Sequence, residues 1–123
     1  MKSSKKGIKR ILKAFTYSFD GFKSVFKTEE AFRQELFLCI FLFIIAVFLK
    51  ITYLEKLLLI SSLFFIIIVE LINTAIEVVI DRISDEYHIL SKKAKDIGSL
   101  LVLITFIYAI IVWGSVIVNK KIF

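Results

Sequence analysis

The chain has 123 residues, 59% of them hydrophobic and 23% charged, and its mean hydropathy is +0.86. One small domain cannot hide that much apolar surface from water, so the composition argues against a soluble fold and for a single integral-membrane domain. The formal net charge of +6 raises nucleic acid as a partner, but its distribution, set out below, assigns it to membrane contact and no nucleic-acid partner is expected.

No Pro and only four Gly favour long helices with few breaks. A single cysteine, Cys39, excludes a disulfide framework or a cysteine metal site and is expected to pack as a small apolar residue. The basic start is not followed by an apolar core before Leu36, so no cleavable signal peptide is expected.

Residues 7–28 read as an amphipathic surface helix. Ile8, Ile11, Leu12, Phe15, Phe19, Phe22 and Phe26 recur at spacings of three and four, with Lys5, Lys6, Lys9, Arg10 and Lys13 around them. Such a helix lies on anionic headgroups rather than across the bilayer. The first transmembrane helix is expected at about 32–50, carried by the run "LFLCIFLFIIAVFL" at 36–49. The second is expected at about 55–82 and the third at about 96–118, with Trp113 as an interface anchor.

Orientation follows from Lys and Arg. The segment before the first span holds Lys2, Lys5, Lys6, Lys9, Arg10, Lys13, Lys23, Lys27 and Arg33, and the 81–96 loop holds Arg82, Lys92, Lys93 and Lys95. The other side has Lys50, Lys56, Lys120 and Lys121. The N-terminus and the 81–96 loop are therefore expected in the cytoplasm and the C-terminus in the periplasm.

The second span carries an anomaly, "VELINTAIEVVIDR" at 69–82. At 3.6 residues per turn, Glu70, Asn73, Glu77 and Asp81 fall within an arc of about 80°. A carboxylate at mid-bilayer costs roughly 2.5–3.5 kcal/mol on insertion scales, so four polar residues on one stripe call for a reason. They pair with basic residues as packing glue, or they hold a cation. No other span offers a basic residue at depth, which favours the cation. Ion conduction, proton relay and metal-dependent catalysis all remain open on the residues alone.

The segment "DRISDEYHILSKKAKDIGS" at 81–99 narrows the choice. Lysines beside carboxylates at a membrane rim suit an anionic ligand bridged by a divalent ion. One His and one Cys are too few for zinc, and no glycine-rich phosphate loop is present. His88 on its own reads as a solvated loop residue.

"EAFRQE" at 30–35, "LLLISS" at 57–62, "VELINTAIEVVIDRISDEYH" at 69–88 and "AKDIGS" at 94–99 resemble the small integral-membrane diacylglycerol kinases of bacteria, in their Gram-negative form. The resemblance covers almost the whole chain. It implies an all-α homotrimer in the inner membrane, each subunit having three spans and a surface helix. It also implies transfer of the γ-phosphate of MgATP to diacylglycerol, giving phosphatidic acid.

Carried over by position, Glu70 matches the catalytic base and a lipid contact, and Glu29 and Glu77 match the Mg2+ ligands. Arg10, Tyr17, Glu29, Glu77, Glu86, Tyr87, His88, Lys95 and Asp96 match ATP contacts. Ser99 and Trp113 match positions near the lipid, and Asn73 would orient the two helix acids. Leu100 and Leu101 stand where the family usually has two alanines, and Phe15, Phe19 and Asp20 set the surface helix apart. Two other readings compete: an undecaprenol kinase of the same family, and a small non-catalytic ion channel or assembly protein.

Overall fold

The computed structural model describes the backbone of residues 2–120 and side chains from Lys6 onward. Lys121 and the side chains of Lys2 and Lys5, counted above toward orientation, lie outside the described residues.

Four helices make up the described chain: α1 (Lys2–Thr28), α2 (Glu30–Phe48), α3 (Tyr53–Ile83) and α4 (Ile89–Lys120). The last three are long and apolar enough to cross a membrane. α3 and α4 have 31 and 32 residues. At a rise of 1.5 Å per residue each is about 47 Å long, well beyond a hydrocarbon core of about 30 Å. Both helices therefore have turns to spare at the bilayer surface.

That surplus corrects the expected 81–96 loop. The connection is only 84–88: Asp81 and Arg82 finish α3, while Lys92, Lys93, Lys95 and Asp96 stand on the first turns of α4. The drop in hydropathy at 81 marks a change of surroundings rather than a helix end. No Pro or Gly occurs between 81 and 97 to stop either helix.

The short connection is tied by its own side chains. The Glu86 N–H donates to Ser84 Oγ at 3.0 Å, and the Leu90 N–H donates to His88 Nδ1 at 3.1 Å. His88 thus satisfies one of the free donors that every helix start carries. The opposite turn is held by a capping box. The Glu55 N–H donates to Thr52 Oγ1 at 3.2 Å and the Thr52 N–H to Glu55 Oε1 at 3.1 Å. Lys120 Nζ lies 3.0 Å from the same Glu55 oxygen, joining the end of α4 to the start of α3.

α3 is the middle helix and packs on both α2 and α4. One apolar cluster joins Cys39, Leu63, Ile66 and Ala109, and another joins Ala46, Leu59 and Val116. The small residues Ala46, Ser62 and Ala109 let the backbones approach, which is how helices associate where lipid removes the hydrophobic drive. Trp113, expected as an interface anchor, turns inward instead. Its Nε1–H donates to the fully buried Ser62 Oγ at 3.0 Å, and Ser62 in turn donates to the Leu59 carbonyl at 2.6 Å. An indole N–H without a water partner at this depth needs such an acceptor.

α1 meets α2 at a break of one residue, Glu29. Arg33 Nη1 donates back to the carbonyls of Phe26 at 2.6 Å and Lys27 at 3.1 Å, closing the free end of α1. Phe22 lies edge-on to Phe32, and Phe26 edge-on to Phe37, with centroids 6.0 and 6.2 Å apart. Farther up α1, Ile8, Ile11, Leu12, Phe15 and Phe19 are all exposed.

Candidate active site

The acid stripe of α3 runs from burial to solvent. Glu70 and Asn73 are 7% and 9% exposed, Glu77 is half-buried and Asp81 is open. Helical periodicity alone puts them on one face. What buries the deeper pair is the packing of α2 and α4 on either side.

From α2, Glu35 meets Glu70, carboxyl to carboxyl, and one Glu35 oxygen is buried without a hydrogen-bond partner. Two acids meeting in an apolar seam are a poor packing device. Helical spacing within α3 does not point to Glu35, which belongs to another helix and is an acid rather than the basic partner expected for Glu70. The available signal was an acid at the entrance of an apolar run, directly before Leu36.

One turn toward the rim, Asn73 Nδ2 donates to Glu77 Oε1 at 3.3 Å. The other Asn73 polar atom, Oδ1, is buried and has no hydrogen-bond partner. It lies against Gly98 of α4, where any side chain would collide with it.

At the rim, a cleft of about 520 Å³ opens between the end of α3 and the start of α4. Its lining includes Asp81, Glu86, Tyr87, His88, Lys95 and Asp96. Five of these were singled out from the sequence as nucleotide contacts, and the short 84–88 connection is what gathers them. Lys95 Nζ bonds Asp81 Oδ1 across the helices at 2.9 Å, and Lys92 Nζ bonds Asp96 Oδ2 at 2.6 Å. All four side chains are open to solvent, so these pairs add little to stability but hold the charges in place.

The other candidates stand apart. Arg10 and Tyr17 are exposed on α1, upstream of the phenylalanines that meet α2. Ser99 is exposed next to Gly98, and Trp113 sits against Ser62 far down the α3–α4 seam. Glu29 occupies the α1–α2 break.

The donors suit a hard divalent cation. Glu29 stands at a helix N-cap yet makes no capping hydrogen bond, which leaves its carboxylate to other uses. Glu77 receives Asn73 on one oxygen and keeps the other. Among the described residues no three His, Cys, Asp or Glu side chains converge into a closed metal cage. An ion that takes one or two carboxylates and fills its shell with phosphate oxygens and water needs no such cage.

Comparison with known proteins places the chain in a family. The profile of the prokaryotic diacylglycerol kinase family matches residues 16–117. A diacylglycerol kinase of Escherichia coli (strain K12) is 45% identical over 113 residues, covering 92% of this chain and 93% of its own. One from Haemophilus influenzae is 44% identical over 110 residues, covering 89% and 93%. One from Pseudomonas aeruginosa is 40% identical over 113 residues, covering 92% of each chain. The matched region takes in the acid stripe, the rim cleft and all three apolar helices, so the chain, a multi-pass membrane protein, belongs to the prokaryotic diacylglycerol kinase family.

Proposed function

We propose that this protein is an ATP-dependent diacylglycerol kinase that makes phosphatidic acid at the cytoplasmic face of the inner membrane. The observation that carries the reading is the graded acid face of α3. Glu70 is buried between the helices, which suits a hydroxyl delivered from the bilayer, and the solvent-open cleft with Lys95 and Asp96 suits a nucleotide delivered from water.

Phosphoryl transfer asks a protein mainly to position groups and stabilise charge. Glu70 takes the proton from the lipid's primary hydroxyl as that oxygen bonds to the γ-phosphorus. The bond from that phosphorus to the β-bridging oxygen breaks, and ADP leaves. Asn73 steadies Glu77. Glu77 and Glu29 would hold Mg2+, which when bound offsets charge on the phosphate oxygens. Lys95 does the same from the rim, while Glu86, Tyr87 and His88 line the space for the nucleoside. Arg10 and Tyr17 would reach the nucleotide from α1, and Ser99 and Trp113 would lie along the lipid.

The assembly is a homotrimer, with α1 lying on the anionic cytoplasmic surface and the C-terminus in the periplasm. The exposed apolar residues and basic neighbours on α1 support that placement, as does the Lys/Arg asymmetry.

The test is purified protein in micelles with labelled MgATP, offered diacylglycerol and undecaprenol side by side. Labelled phosphatidic acid is expected. Preferential labelling of undecaprenol would replace the substrate, and cation flux without ATP turnover would replace the function.

A further inference from the structure

The two polar atoms of Asn73 are treated differently by the fold. Its Nδ2 donates to Glu77, whereas its buried Oδ1 has no conventional donor. Buried amide oxygens are almost always satisfied, so an orphan needs an explanation. Gly98 supplies one. The place where a Cβ would stand at 98 is already taken by Asn73 Oδ1, with the Asn73 Cγ and Ile76 Cδ1 close behind. In glycine that place holds an α-hydrogen, and a Cα–H pointing at a carbonyl oxygen is a weak but recurrent helix–helix contact.

Flipping the carboxamide would set its NH2 against Cα–H and its oxygen against the Glu77 carboxylate. Both changes are unfavourable, so the contact holds one orientation. The other helix glycines lack this constraint: a Cβ added at Gly7, Gly21 or Gly114 meets nothing within 4 Å.

We infer that Gly98 is a positioning residue. It admits the Asn73 carboxamide into the α3–α4 seam in a single orientation, with the NH2 turned to Glu77, so that Glu77 is aimed for its ligand. The inference rests on the proposed role of Glu77, but two of its three tests, the amide resonance and the thermal stability, do not require lipid phosphorylation.

Three readouts test it on the purified full-length protein. In Gly98→Ala the half-saturating magnesium concentration should rise about 10–100-fold, the usual effect of disturbing a group that orients a metal ligand. Gly114→Ala, in the same helix, should leave it unchanged. The Asn73 side-chain amide resonance should move in Gly98→Ala and stay put in Gly114→Ala. Asn73→Ala combined with Gly98→Ala should recover the thermal stability that Gly98→Ala loses, because the collision has been removed. That double variant decides the matter even if Gly98→Ala does not fold.

An unmoved amide resonance, an unchanged magnesium requirement, or a double variant no more stable than Gly98→Ala would each overturn the inference. Failure of the wild type to phosphorylate any lipid would sink the kinase reading and leave the amide and stability results to stand or fall separately.

Discussion

The seam between α3 and α4 has two ends built in opposite ways. Around Ser62 and Trp113 each buried polar group has a partner: the indole N–H donates to the hydroxyl, which donates to the Leu59 carbonyl. Around Glu70 and Asn73 the same two helices leave the Asn73 oxygen without a donor, and α2 adds a Glu35 oxygen in the same condition. Both ends are buried, so exposure does not explain the difference. The first end meets what a bilayer demands of any packed helix pair, a partner for each buried polar group. The second gives up that satisfaction, which suits the ligand site proposed there.

The contrast breaks first at Glu70. Glu70→Gln keeps shape and hydrogen bonding but cannot take a proton, so lipid phosphorylation should fall by about 10²–10⁴-fold. MgATP binding and thermal stability should hold. A variant that turned over near the normal rate, or that lost stability instead, would make the acid end another packing device.

Glu77→Gln and Glu29→Gln come next. An amide oxygen is a poorer ligand for a hard cation, so activity at limiting magnesium should drop and recover in part at high magnesium. Wild-type magnesium curves in both variants would remove the metal from this end of the seam.

The satisfied end should respond in the other currency. Ser62→Ala leaves the Trp113 N–H buried without an acceptor and should cost about 1–3 kcal/mol of stability. Its turnover per folded molecule should match the wild type. A large loss of turnover at unchanged stability would show that the structural end also serves the reaction.

The smallest effect is expected at the rim. Asp81→Asn breaks an open ion pair with Lys95, so the unfolding midpoint should barely move. The Michaelis constant for ATP should rise modestly, because Lys95 is then free to leave the cleft. An unaltered constant would confine the pair to the surface.

Much of this was legible before any fold. The stripe from Glu70 to Asp81 follows from helical spacing within one element, and so do the three apolar helices. Of the residues gathered in the rim cleft, Asp81, Glu86, Tyr87, His88, Lys92, Lys95 and Asp96 are named from the sequence while Ser84, Asp85 and Ser91 are not, and the expected helices stop short because a change in hydropathy reads as a change in backbone. Glu35 and Gly98 fall inside the motifs at 30–35 and 94–99, yet the sequence assigns neither a role. An acid at the entrance of an apolar run is a weak local signal for Glu35, and nothing local sets apart a glycine beside a serine.

By itself the sequence determined the membrane class, the helical composition, the acid face of α3 and the family. All of these depend on composition, period or motif, which are properties of neighbours along the chain. The tertiary structure decided that Glu35 meets Glu70, that Gly98 receives Asn73, and that Trp113 turns in toward Ser62. Those are facts of register between helices. In a bilayer, where lipid is as apolar as any helix face, register is set by which small residues allow close approach and which polar atoms find partners across it.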